Sequence, residues 1–200
     1  FSHYQLTREV PVRILSQLDL RQLQKGLEQC NFKNASRLIA DLCLRSYSDG
    51  LGLFRAPEQI WPFFMQYPDF LSEALGLIPQ HQGHRYYQEY DASNAVTILG
   101  KYPTIPARFI PRIMELALGE NKTHRLSAQK LLETLPSIHV NAAEGLDSGK
   151  QEIRVTAIEW LARLKHPDSL KPLYALLKKE KREVVRAALL TALEQFGEDI

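Results

Sequence analysis

The chain has 200 residues, of which 44% are hydrophobic and 24% are charged. This balance excludes a disordered or fibrous protein and suits one compact domain or one continuous array of repeats. The formal net charge of +2 gives no overall field that would require nucleic acid or an anionic membrane as partner, so either would need a local basic patch.

The first half of the chain, residues 1–105, carries helical patterns without a regular repeat. One apolar stripe consists of Leu20, Leu23 and Leu27. A second stripe follows Asn34, which we expect to cap a helix that runs to Tyr47. Further along, Pro57 marks a helix start and Pro68 an interruption. We therefore expect an irregular helical half that forms capping or degenerate repeats.

The two cysteines, Cys30 and Cys43, lie in separate apolar patterns without the spacing of metal ligands. We expect buried thiols in a reducing compartment. No apolar run approaches the ~18 residues of a membrane span, and the first residues do not resemble a signal peptide. A cytoplasmic location is expected, and the start at Phe1 rather than Met suggests a piece of a longer protein.

A polar segment, residues 79–91, reads as a loop and contains His81 and His84 beside several tyrosines. Such a pattern suggests a metal site or an aromatic platform for single-stranded nucleic acid. Because two histidines without a nearby cysteine do not make a zinc site, a polar loop is the favoured interpretation.

The second half repeats one apolar pattern three times. In the last helix the relative positions 0, 4, 7, 8 and 11 are Val185, Leu189, Ala192, Leu193 and Phe196. Counted from Ile153, the same positions are apolar and include Trp160, which we expect to lie buried between helices of adjacent repeats. Counted from His124, only this histidine breaks the pattern, and we expect it to be a core residue near the start of its helix.

Each of these helices follows another helical segment. The segments 106–118 and 167–179 begin with proline, which the first helical position tolerates. In the corresponding position of the middle repeat we expect a short helix, which Gly145 interrupts and Gly149 ends. A unit of about 30 residues cannot bury its stripe alone, so the sequence predicts an all-α fold, an α-solenoid of stacked helix pairs. The predicted repeats are about 106–136, 137–166 and 167–197.

These repeats resemble the HEAT-repeat superfamily, in which the second helix reads Val-Arg, then a small residue and a later Ala-Leu. "VVRAALLTAL", which begins at Val184, has this form, and the resemblance covers residues 106–197. It implies HEAT-like helix pairs in an armadillo-type superhelix. More narrowly, the order of the segments resembles the repeat region of bacterial MolR-like proteins, including the YehI type, some of which carry a WGR domain. This narrower resemblance implies a fragment of a larger cytoplasmic bacterial scaffold of unknown function. No Trp-Gly-Arg tripeptide occurs here, so nothing is transferred from the WGR domain.

An arginine follows the first marked position of each repeat; the three are Arg125, Arg154 and Arg186. The turns shortly upstream contain the acids Glu120, Asp147 and Glu180. We expect each arginine to bond to a turn acid or carbonyl and to hold one repeat to the next, as a structural ladder. Partner binding by these arginines is the alternative.

The densest basic run lies in a turn between helices and contains Lys178, Lys179, Lys181 and Arg182. Such a patch attracts phosphate groups, as in HEAT-like DNA glycosylases, which hold duplex DNA on a basic concave face. Nucleic-acid binding is therefore the alternative function, and a glycosylase-type enzyme is a weaker one. Because Glu180 and Glu183 dilute the charge, a solvated turn is the favoured interpretation.

No residues indicate a catalytic, metal or cofactor site. The stretch "GLDSGK", residues 145–150, has three residues rather than four between its glycines and Gln151 after its lysine, so it does not match a phosphate-binding loop. No Ser/His/Asp arrangement or carboxylate pair can be placed on neighbouring elements. The sequence predicts a non-catalytic interaction scaffold without cofactor, small-molecule ligand or membrane partner, which binds a protein or a neighbouring domain of its own chain.

Overall fold

The residues that the computed structural model describes are 8, 10–46, 50–80 and 89–199. Within them the chain forms α-helices and short 3-10 turns, with one isolated antiparallel bridge between Arg45 and Tyr90 and no β-strand. The predicted all-α fold is confirmed. No helix in these ranges combines the length and apolar character that crossing a lipid bilayer requires. His81 and His84 lie outside the described residues.

The chain divides into two compact units, residues 1–112 and 113–200. From residue 10 onward, the described helices of the first unit are α1 (Val12–Leu15), α2 (Leu20–Gln29), α3 (Ala35–Leu44), α4 (Trp61–Gln66), α5 (Pro68–Ala74) and α6 (Ala92–Leu99). The helices that follow are α7 (Ile110–Leu118), which contains the division, α8 (Lys122–Leu132), α9 (Ile138–Glu144), α10 (Gln151–Leu164), α11 (Leu170–Lys179) and α12 (Glu183–Phe196). We call α7 and α8 the first helix pair, α9 and α10 the second, and α11 and α12 the third.

Helix α2 begins at a reciprocal cap. The side chain of Asp19 accepts a hydrogen bond from the backbone N–H of Gln22, and the Gln22 side chain accepts one from the backbone N–H of Asp19, both at 2.8 Å. Two N–H groups that the helix leaves without partners are thereby satisfied. The predicted apolar stripe of this helix, Leu20, Leu23 and Leu27, is buried.

Helix α3 begins directly after Asn34, as predicted, but it lacks the predicted capping bond and ends earlier than predicted. Asn34 has a left-handed backbone (φ 59°) and makes no side-chain capping hydrogen bond, whereas a capping side chain requires an extended backbone at this position. The helix ends at Leu44 rather than Tyr47, because Arg45 is extended and forms the bridge to Tyr90.

The two cysteines have different environments. Cys43 is buried in α3, and this burial raises the pKa of its thiol. Cys30 is exposed, contrary to the expectation of two buried thiols, because it directly follows the last residue of α2.

A partly buried polar network links α3 and α5 in the first unit. Arg37 donates two hydrogen bonds to the carboxylate of Glu73, at 2.6 and 2.8 Å, and a third to the hydroxyl of Tyr90 at 3.1 Å. Its guanidinium also lies 4.5 Å from the ring centre of Phe70. The Tyr90 hydroxyl in turn donates to Asp41 at 2.8 Å. These contacts satisfy the buried charges within the fold and indicate a structural role.

In the second unit α10 is the central helix. It packs against α9 and, most extensively, against α12, which also contacts α11. Its indole, Trp160, is 0% exposed, which confirms the predicted burial. His124 is half-buried near the start of α8. The proline-initiated segments begin as 3-10 turns at Ala107–Phe109 and Pro167–Ser169 before α7 and α11 start.

Gly145 is a point of close approach between α9 and α10. The α-helical conformation ends just before it and continues as a 3-10 turn, Gly145–Asp147. A Cβ atom at Gly145 would lie 2.8 Å from Cβ of Ala157 and 3.2 Å from a methyl group of Leu118. The predicted helix interruption is therefore also a packing requirement, because only glycine leaves room for the neighbouring side chains.

Candidate functional site

Two of the predicted arginines donate to carbonyl groups of their own helix pair. Arg125 binds the carbonyl of Gly119 through Nε at 3.0 Å and through Nη2 at 2.8 Å. Arg186 donates from Nη1 to the carbonyls of Leu177 and Glu180, at 3.0 and 3.1 Å. Arg125 thus binds the segment that connects α7 and α8, and Arg186 binds the last turn of α11 and the residue that follows this helix.

Arg154 combines such a bond with a contact to the next helix pair. Its Nη1 donates to the carbonyl of Ser148 at 2.7 Å, and its Nε lies 3.0 Å from Oε2 of Glu180 as an ion pair without hydrogen-bond geometry. The other carboxylate oxygen of Glu180 accepts the backbone N–H groups of Arg182 at 2.9 Å and Lys181 at 3.0 Å. The N–H of Arg182 and, next, the charge of Arg154 hold the pKa of Glu180 below its ordinary value.

The other two turn acids also pair with cations of an adjacent helix pair. Glu120 lies 3.0 Å from Nζ of Lys150, and Asp147 lies 3.3 Å from Nζ of Lys179. All four side chains are more than half exposed, so water and salt screen both pairs. The pair of Arg154 with Glu180 differs, because its side chains are only 10% and 9% exposed.

The predicted basic patch is a solvent-exposed surface. All four of its cations are exposed: Lys178, Lys179, Lys181 and Arg182. Asp147 pairs with one of them, and Glu180 lies in the middle of the run. The positive charge of the run is therefore partly compensated.

An open groove, which the sequence pattern did not predict, lies between α8 and α10. It consists of two cavities of about 570 and 260 Å³ that share Lys122, Arg125, Thr156 and Glu159 in their lining. By contrast, α10 and α12 pack directly against each other. We call this feature the α8–α10 groove.

A polar network fixes the end of the groove. Gln129, which is 2% exposed, donates to the carbonyl of Ala117 at 2.8 Å and accepts a hydrogen bond from Arg163 at 2.7 Å. Glu133 accepts from the indole N–H of Trp160 at 3.1 Å and from Arg163 at 2.9 Å. The first and second helix pairs are thereby joined by hydrogen bonds as well as by apolar packing.

Two exposed apolar side chains also line the groove. Leu126 is 57% exposed and lines the smaller cavity, while Val184 is 58% exposed and lines the larger one. Neither side chain is buried by the described part of the chain. The groove therefore offers apolar contacts beside charged groups.

One sequence signal for the groove was available. Gln129 stands at the position that Ile158 and Leu190 occupy in the other two repeats, so it is a polar residue at an otherwise apolar position. A buried polar side chain requires hydrogen-bond partners. The substitution therefore indicated a polar contact at this point, although it could not identify the partners.

The structure also brings together three possible metal ligands that no sequence motif indicated. His139, His166 and Asp168 each place one ligand atom within 4.8 Å of the other two. They come from α9, from the segment after α10, and from the following 3-10 turn.

Comparison with known proteins supports a HEAT-like assignment for part of the chain. Residues 141–199 match the family model of HEAT repeats. No curated protein matches the chain. The matched residues contain most of the second helix pair and all of the third. These comparisons give no support to the narrower resemblance to MolR-like proteins.

Proposed function

We propose that the second unit is a non-catalytic scaffold that binds an extended segment of a protein partner in the α8–α10 groove. The partner segment belongs either to another protein or to a neighbouring domain of the same chain. HEAT repeats are helical scaffolds for protein interactions, and the observation that carries the proposal is the open groove itself. Helical repeat arrays use such extended surfaces to bind partners.

The charges in the groove support a peptide segment as its occupant. Lys122 and Glu159 line both cavities, and their side chains form no hydrogen bond or ion pair with another described residue. Lys122 can bind a carboxylate of the segment, and Glu159 can accept its backbone N–H groups. Leu126 and Val184 then provide contacts for its apolar side chains.

We propose a structural role for the three arginines. Arg125 and Arg186 bind carbonyl groups of their own helix pairs, and Arg154 also pairs with Glu180 of the next pair. Guanidinium groups committed to these bonds have fewer donors left for a partner.

Nucleic acid is the alternative partner. Its support is the exposure of Lys178, Lys179, Lys181 and Arg182, which would contact phosphate groups. The nearby Asp147 and Glu180 reduce the local positive charge, so we favour the protein partner. The glycosylase-type enzyme lacks a specific supporting observation.

The test is capture of partners from the native host with a matched pair of surface variants. Leu126→Glu places a charge in the groove, whereas Val140→Glu places one on α9, at a residue that does not line the groove. The two side chains are similarly exposed, at 57% and 56%, so both variants should fold. We expect Leu126→Glu to lose proteins that the unmodified chain and Val140→Glu retain.

Equal recovery with both variants would show that binding does not use the groove. Recovery of no specific protein, together with no contact to the domains that flank the unit in its parent chain, would remove the support for the scaffold itself.

A further inference from the structure

Two histidine rings stack at the junction between the second and third helix pairs. The ring centres of His139 and His166 are 3.5 Å apart, and the ring planes differ by 7°. His139 lies on α9, and its side chain is 14% exposed. His166 precedes the 3-10 turn Pro167–Ser169, and its side chain is 42% exposed.

A carboxylate lies beside the stacked rings. Oδ2 of Asp168 is 3.8 Å from Nε2 of His139 and 3.8 Å from Nδ1 of His166. The backbone N–H of Asp168 donates to the same Nδ1 at 3.3 Å, so this nitrogen is unprotonated, and its single lone pair must exchange this hydrogen bond for the metal ion. Two imidazole nitrogens and one carboxylate oxygen therefore lie within 4.8 Å of one another.

We propose that His139, His166 and Asp168 bind a zinc ion, with water in the remaining coordination position. Two histidines and one carboxylate are a ligand set that Zn²⁺ accepts, and a water molecule completes its four-coordinate shell. In a tetrahedral site with metal–ligand bonds near 2.1 Å, the ligand atoms lie about 3.4 Å apart. The separations of 3.8 Å exceed this value by a few tenths of an ångström.

Zinc binding requires a defined rearrangement. In a parallel stack the nitrogen lone pairs point side by side, whereas ligands of one metal ion must point at a common centre. His139 is the least exposed of the three and is the fixed ligand, while His166 and the 79% exposed Asp168 can turn toward the ion. Binding therefore separates the two rings and links α9 to the turn that precedes α11.

The test is titration of the purified chain with zinc chloride by calorimetry, with cobalt chloride as a spectroscopic probe. We expect one zinc ion per chain and a cobalt absorption spectrum typical of tetrahedral nitrogen and oxygen ligands. Loss of a residue that merely supports a zinc ligand weakens binding by about 10–100-fold, so loss of a ligand should weaken it at least as much. His166→Asn and Asp168→Asn alter exposed side chains, and we expect both to fold and to bind zinc at least about tenfold more weakly.

His124→Asn is the matched control, because His124 lies on α8 and does not belong to the cluster. We expect it to retain the affinity of the unmodified chain. Absence of zinc binding in the unmodified chain, or equal affinity in all variants, would overturn the proposal. Loss of binding only in a His81→Asn and His84→Asn double variant would likewise overturn it, because the zinc would then bind elsewhere.

Discussion

The indole N–H of Trp160 donates a hydrogen bond to Oε1 of Glu133, 3.1 Å away, although the tryptophan is fully buried and the glutamate is exposed. The bond connects α10 to the residue that directly follows α8. Trp160 therefore contributes both apolar burial and a polar contact to the interface between the first two helix pairs.

We expect Trp160→Ala to lower the free energy of unfolding by about 3–5 kcal/mol, because truncation of a large buried aromatic leaves a cavity. Since nearest-neighbour interfaces hold a repeat array together, the unfolding transition should also broaden. Chemical denaturation followed by circular dichroism measures both effects. Trp160→Phe, which keeps most of the burial and loses the hydrogen bond, should cost less. An unchanged midpoint and width for Trp160→Ala would contradict the observed burial.

The carboxylate of Glu180 makes stability depend on pH. Its pKa is lowered in the folded chain, so its contribution is present above the unfolded value, about 4.3, and is lost as the pH falls through the lower folded value. We expect Glu180→Gln to lower the melting temperature at pH 7 and to reduce its dependence on pH in this acidic range. The exposed Glu194→Gln is the control on the same unit. Identical pH profiles for the unmodified chain and Glu180→Gln would rule out this role.

Gly145 leaves no room for a side chain. A Cβ atom there would lie 2.8 Å from Cβ of Ala157, so we expect Gly145→Ala to destabilise the chain by about 1–3 kcal/mol through overpacking. Gly149→Ala is the matched control, because a Cβ atom at Gly149 meets nothing within 4 Å. Thermal melts of the two variants compare the positions directly. Equal stability of both variants would show that α9 and α10 can separate without cost.

Lys165 ends α10 with a left-handed backbone. Its φ is 52°, and the equivalent residue at the end of α12 is Gly197, whose φ is 84°. The left-handed conformation costs a residue with a side chain about 1–2 kcal/mol, and the greater unfolded-state entropy of glycine offsets part of this difference. We expect Lys165→Gly to raise the free energy of unfolding by about 0.5–1 kcal/mol, as measured by denaturant titration. Lys165→Ala should give no such gain, and a loss of stability in Lys165→Gly would refute the interpretation.

A DNA-binding assay distinguishes the proposed protein partner from the nucleic-acid alternative. We expect no complex between the chain and duplex or single-stranded DNA in a mobility-shift assay at low salt and micromolar protein. A complex that weakens steeply with salt would favour the alternative. Loss of that complex on changing Lys178, Lys179, Lys181 and Arg182 to glutamine would then assign it to this run.

Most of the correctly predicted fold could be inferred from the spacing of apolar residues within single helices. Helical spacing alone was enough to predict the apolar stripe that contains Trp160, and the structure buries this residue as that spacing indicates. The helix start after Asn34 was predicted correctly, but its capping hydrogen bond does not form, because a residue type that favours caps does not determine the backbone angle that a capping bond needs.

The candidate sites depend on distances that the sequence does not contain. Gln129 meets Arg163, and His139 meets His166, only because of the register at which separate helices pack. The groove is the space that remains where α8 and α10 do not pack closely, and a pattern read one helix at a time cannot reveal such a space.

The contacts of Arg154 and Trp160 depend on the order in which the helix pairs follow one another. Arg154 forms an ion pair with Glu180 of the following pair, and Trp160 donates a hydrogen bond to Glu133 of the preceding pair. A copy of the second pair transplanted to either end of the unit would keep its own helices and lose one of these partners. The three pairs are therefore not interchangeable modules, and a shuffled chain with the same composition would assemble with mismatched junctions.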